Sequence, residues 1–215
     1  MENIVTIAAA LSLVVLTGFA RAQTGPSPVK TGDNLGYQFI TYGERGREIF
    51  EQNVASAVAG YATVDKGYSI KFVNGRVENY DGNHTLYSGL SQGNPFEYSP
   101  EELFQWKPKD FSPGRKEETS YTTKTRQCGV VKRSFPEVEV KASTRTLNMG
   151  GQAKEVPVHE ITYKGRWAGS CGGGKFEHVV SFSPELNLVV EQKMLNYYPD
   201  GFLFQGNGRK LVSVN

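Results

Sequence analysis

Cysteine, histidine and tryptophan are scarce in this chain, with 2, 3 and 2 copies in 215 residues. Neither Cys128 nor Cys171 belongs to a CxxC pair, so redox catalysis and zinc binding have no support. His84, His159 and His178 fall in no HxH or HExxH spacing, and one carboxylate in Asp81-Gly82-Asn83 is too few for a calcium loop. The Gly-x-Ser-x-Gly elbow of serine hydrolases is missing; Gly169-Ser170-Cys171-Gly172 has the residue types at the wrong spacing. Gly172-Gly173-Gly174-Lys175 lacks the frame and the following helix of a phosphate loop. No block of like charge exists, and 24 Lys+Arg against 22 Asp+Glu leave a formal charge of +2, which argues against a dedicated grip on nucleic acid or acidic membrane. After Ala22 no stretch is apolar enough to span a bilayer, and no long helical period occurs. No cofactor and no metal are expected.

Residues 3–19 are apolar apart from a few Ser, Thr, Asn and Gly, and they lead into Ala20-Arg21-Ala22, the small-x-small pattern that signal peptidase accepts. Cleavage after Ala22 is expected, making 1–22 a signal helix and the product a periplasmic or secreted bacterial protein. The n-region is atypical because Glu2 cancels the amino-terminal charge, and an uncleaved anchor helix is the competing reading. In an oxidising compartment, two cysteines favour one Cys128–Cys171 disulfide over free thiols or an intermolecular bridge.

Residues 23–34, with Gly25, Pro26, Pro28 and Gly32, read as a flexible lead-in. Beyond it the pattern is all-β. Tyr68, Ile70 and Phe72 alternate with Gly67, Ser69 and Lys71, and Asp65-Lys66-Gly67, Asn74-Gly75 and Asp81-Gly82-Asn83 supply turns, so 35–98 reads as a small antiparallel meander. A linker-like stretch at 88–114 contains Ser99-Pro100-Glu101-Glu102, the start of one helical turn. Strands are expected at 119–131, 137–147, 154–167, 176–182, 188–196 and 202–214, separated by Gly150-Gly151, the Gly172 run, Pro184-Glu185-Leu186-Asn187 and Pro199-Asp200-Gly201. Together 99–215 is expected to form a curved antiparallel domain, closed as a sandwich or open as a half-barrel.

Tyr80-Asp81-Gly82-Asn83, Tyr98-Ser99-Pro100, Phe104-Gln105-Trp106, Pro113-Gly114-Arg115-Lys116, Glu155-Val156-Pro157-Val158 and Phe182-Ser183-Pro184-Glu185-Leu186, in that order, resemble uncharacterised exported β-rich bacterial proteins. The resemblance covers about 80–213. The chain departs from the group's pattern at Val158-His159, where Ala-Gly is usual, and no Trp follows Pro113-Gly114. The group's sheets are distantly similar to the half-barrels that carry lipoproteins across the periplasm, a likeness of fold alone.

The leading expectation is a non-catalytic exported module that binds an apolar ligand or an envelope protein. Most of the 11 Tyr and 12 Phe belong to the core and to cross-strand pairs. Phe104, Trp106, Phe111, Tyr163 and Trp167 are the candidates for lining an apolar concavity. The alternative is a secreted hydrolase whose site gathers His159, Glu160 and Asp200.

Overall fold

The computed structural model describes residues 28–46, 48–97, 116–125 and 129–215. Outside them lie the expected signal helix with Ala20 and Ala22, most of the lead-in, the helical turn at 99–104, Phe104, Trp106, Phe111 and Cys128.

Among the described residues the chain is all-β, with no helix. Its strands are β1 (Asn34–Arg45), β2 (Glu48–Val64), β3 (Gly67–Phe72), β4 (Val77–Asp81), β5 (Leu86–Ser91), β6 (Asn94–Glu97), β7 (Lys116–Thr125), β8 (Gly129–Met149), β9 (Gln152–Gly169), β10 (Gly172–Ser183), β11 (Leu188–Tyr197) and β12 (Leu203–Val214). They form one sheet in the order β6-β5-β4-β3-β2-β1-β12-β11-β10-β9-β8-β7. Neighbours in that order run antiparallel. A two-residue parallel pairing of Ser213 and Val214 with Asn148 and Met149 joins β12 back to β8, which makes β8 to β12 a ring at that end.

Turn chemistry sets the hairpins. Gly150 and Gly151 have φ of 59° and 83°, the double positive φ that a two-residue hairpin loop demands, and Met149 pairs with Gln152 across them. Gln92 and Gly93 make the same kind of turn, with φ of 51° and 78°, inside the stretch that reads as a linker. There β5 and β6 extend the sheet to Glu97, although Leu86–Ser91 has no β-branched residue: pairing with β4 decides the conformation against weak propensity. The strand expected at 119–131 is two strands, β7 and the start of β8, paired with each other up to Thr125↔Gly129. Pro136, which separates two expected strands, sits within β8 at a register shift between Ser134 and Glu137, where a residue without an N–H is tolerated.

One core cluster joins Leu35, Tyr37, Tyr61, Ile70 and Phe72 to Leu147, Val156, Val158, Leu188 and Leu211, so it crosses the boundary expected near residue 98, as does the β1–β12 ladder. A second cluster holds Val138, Val140, Ile161, Tyr163, Phe176 and Val180. Val140 and Leu147 are an odd number of residues apart on β8, and so are Val158 and Ile161 on β9; no register shift lies between them. Opposite faces of the same two strands therefore serve the two clusters.

The meander also buries charge. Glu78 on β4 accepts from Arg209 Nη1 on β12 at 2.7 Å, from Arg76 Nη2 at 2.5 Å and from the Tyr80 hydroxyl at 2.5 Å. Arg209 lies over the rings of Tyr37 and Tyr80, 5.1 and 5.8 Å from their centroids. Tyr80 in turn stacks on Tyr68 at 4.9 Å, and Tyr68 on Tyr61 at 5.4 Å. In sheet order β4 and β12 are separated by three strands, so side-chain contact between them requires strong curvature.

Candidate functional site

At the end of the ring where β9 turns into β10, three strands align one row of residues. Ser134 of β8 faces Arg166 of β9, and Arg166 faces Lys175 of β10, with Lys132 opposite Ala168 one step along the same face. The groove there has a volume of about 430 Å³ and is lined by Lys132, Ser134, Arg166, Trp167, Lys175 and Pro199, among others. Among the ion pairs between described side chains, none involves Lys132, Arg166 or Lys175.

Aromatic side chains stand beside it. The Trp167 indole donates through Nε1 to the Tyr197 carbonyl at 3.3 Å and stacks on Phe204, with centroids 6.1 Å apart at 29°. Phe204 meets Tyr198 edge-on at 5.2 Å. The β11–β12 loop is closed by Tyr198 N–H to the Phe202 carbonyl at 2.8 Å, and Phe202 N–H donates to Asp200 Oδ1 at 3.1 Å. Tyr198, Phe202 and Phe204 remain 46%, 55% and 52% exposed, three large apolar side chains within seven residues that no part of the described chain covers.

Gly174 makes the Trp167 contact possible. A Cβ at this position would collide with the Tyr197 carbonyl and lie 2.9 Å from Trp167 Nε1. The glycine run that reads as a turn thus opens a strand, and its function is close approach. Gly174→Ala is expected to cost about 1–3 kcal/mol by overpacking. A urea midpoint equal to wild type would show that the strand yields freely.

Of the sequence candidates, Trp167 lines the groove, whereas Tyr163 is 1% exposed among Val138, Ile161 and Phe176 and packs in the second core cluster. His159 and Glu160 are neighbours on β9 and so point to opposite faces. The Glu160 carboxylate is bound by Arg145 Nη2 at 2.5 Å, and Arg145 Nε also holds Glu191 at 2.6 Å. Burial lowers the Arg145 pKa, but these two carboxylates outweigh it and raise it. His159 faces Phe182 while Asp200 lies beyond Tyr197, which faces Lys175; seven residues of β10 separate the two rows, roughly 23 Å at strand rise. The structure does not bring His159, Glu160 and Asp200 together.

Sequence reasoning missed Tyr198, Phe202, Phe204, Lys132, Arg166 and Lys175. The signal for the aromatics was present, since they flank Pro199-Asp200-Gly201, a turn that needs no apolar neighbours. The cation row had no local signal because it depends on the register of three strands.

No family model matches the chain, and no curated protein matches it. Three solved structures are similar to it. The hypothetical lipoprotein YmcC of Escherichia coli K12 has a TM-score of 0.44 and 8% identity, covering 84% of this chain and 83% of YmcC. An inferred exported protein with a YmcC-like fold from Bacteroides fragilis has a TM-score of 0.38 and 12% identity over 89% of this chain and 99% of its own. An inferred lipoprotein from Parabacteroides distasonis has 0.42 and 12% over 90% and 100%.

Proposed function

We propose that this protein is an exported, non-catalytic binding module that holds an apolar or amphipathic small molecule at the groove beside Trp167. One observation carries the reading: Phe204 stacks on Trp167 yet stays half exposed, together with Tyr198 and Phe202, next to a groove large enough for a small ligand. Export rests on the small-x-small pattern at Ala20–Ala22.

Native mass spectrometry of the protein recovered from an exported preparation tests both parts. The expected spectrum shows a mature chain beginning at Gln23 and carrying an extra mass that disappears on denaturation. Trp167→Ala is expected to lose that mass, with affinity for the extracted ligand falling about tenfold or more, as for truncation of a buried aromatic anchor. A bare wild-type monomer that takes up nothing from an envelope lipid extract would overturn the binding reading.

A further inference from the structure

We propose that the outer edge of β2 is a self-association surface, to which a second copy of this chain adds its own β2, antiparallel, about a two-fold axis at Val54. The surface is independent of the groove beside Trp167.

β2 is much longer than the strand beside it. β3 pairs with Ala59 to Val64, so among the described residues the edge of β2 from Glu48 to Val58 is lined by no strand on that side. The direction of its backbone groups follows from the bonds near its end. Tyr61 gives its N–H to the Asp33 carbonyl and accepts from the Gly32 N–H, both on the β1 side, whereas the Val58 carbonyl accepts from the Val73 N–H on the β3 side. Alternation then turns the N–H and C=O groups of Val54 and Ser56 outward too. An open row of this kind templates pairing with another strand, and Glu48–Val64 contains no Lys, Arg or Pro to blunt it. Of the seven large apolar side chains exposed among the described residues, Phe50, Val54 and Val58 belong to this strand, and Val73 follows the end of β3.

The edge is complementary to itself. Opposite Gly36, Gln38, Ile40, Tyr42 and Glu44 of β1 stand Val58, Ser56, Val54, Glu51 and Ile49, which therefore share one face across the register shift at Gln52. With Val54 of both copies on the axis, Ile49 meets Val58 of the second copy and Glu51 meets its Ser56. On the other face Phe50 meets Ala57 and Asn53 meets Ala55. Apolar side chains thus meet apolar or small ones, and Glu51 faces no second carboxylate. The neighbouring strand also selects the axis: in this register the β1–β2 turn of one copy ends where β3 of the other ends, and an axis nearer Val58 would drive that turn into β3. A patch that meets itself in this way closes as a dimer.

Sedimentation equilibrium of the mature protein between roughly 10 µM and 1 mM, the range suited to a small interface, is expected to show a monomer–dimer equilibrium. Val54→Lys and Val54→Glu each set like charges against one another on the axis and should weaken the dimer about tenfold, whereas an equimolar mixture of the two variants should restore it. Ser56→Pro removes a donor that points off the sheet, so it should weaken the dimer and leave the β1–β2 ladder intact. A wild type that stays monomeric throughout would overturn the proposal. A dimer indifferent to all three substitutions would do the same by placing the contact elsewhere, and one that both charges weaken but their mixture fails to restore would refute the axis at Val54.

Discussion

Glu78→Ala is expected to destabilise the protein by about 3–5 kcal/mol, the range found when one partner of a buried ion pair is removed. The side chains of Glu78 and Arg209 are 2% and 10% exposed, and without the carboxylate Arg209 would be left inside with only aromatic rings and the Tyr80 hydroxyl. Glu78→Gln/Arg209→Met, which removes both charges, should cost less than the sum of its single changes. Urea unfolding measures this, and a Glu78→Ala cost below about 1 kcal/mol, the level of an exposed pair, would refute it.

The same cluster sets the pH dependence. Burial by itself pushes the Glu78 carboxyl up, but Arg209, the Tyr80 hydrogen bond and Arg76 outweigh it and hold the group below the ordinary 4.5. A carboxylate depressed in the fold contributes stability that is complete above its unfolded value and is lost as pH falls through the folded one. Stability should therefore decline below pH 4.5, and less steeply in Glu78→Gln. At the alkaline end the sign reverses. Burial pushes Tyr37 up to about 12, and Tyr61, Tyr68 and Tyr80 are raised for the same leading reason. These phenols stay neutral in the fold but ionise near 10 when unfolded, so stability is complete below pH 10 and falls as pH rises toward 12.

The second large effect concerns the cysteines. Cys171 lies in the turn between β9 and β10, and Cys128 is joined to Gly129, the first residue of β8. The pairing expected from composition is a Cys128–Cys171 disulfide. The bond would close a loop of 44 residues, for which the chain-entropy relation gives roughly 4 kcal/mol. Cys171→Ser is expected to lose about that much, and reduction of wild type should lower its unfolding midpoint to match. The denatured, unreduced mass should be about 2 Da below that of the dithiol chain. Two alkylatable thiols in the unreduced protein would rule the bond out.

What the sequence displays about this fold is its local chemistry. Asn74-Gly75 and Gly150-Gly151 announce hairpins because few other residues accept their backbone angles, and alternation in Tyr68, Ile70 and Phe72 marks a strand with one buried face. Less visible is anything that long-range pairing decides. The reversal between β7 and β8 occurs in a polar segment without a strong turn dipeptide, and β5 exists because β4 offers it hydrogen bonds. Trp167 was accessible as a candidate only through its aromatic character, alongside Phe104, Trp106, Phe111 and Tyr163; its partner Phe204 comes from a strand that is distant in sequence.

The long hairpin of β8 and β9 shows how such a chain keeps its pairing honest. A slip of one residue at Gly150-Gly151 would turn Val156 and Val158 away from the first cluster and, in the same movement, turn Ile161 and Tyr163 away from the second. No misaligned ladder can satisfy one cluster at the expense of the other. The hairpin therefore carries its own parity check, with a single error detected at two places.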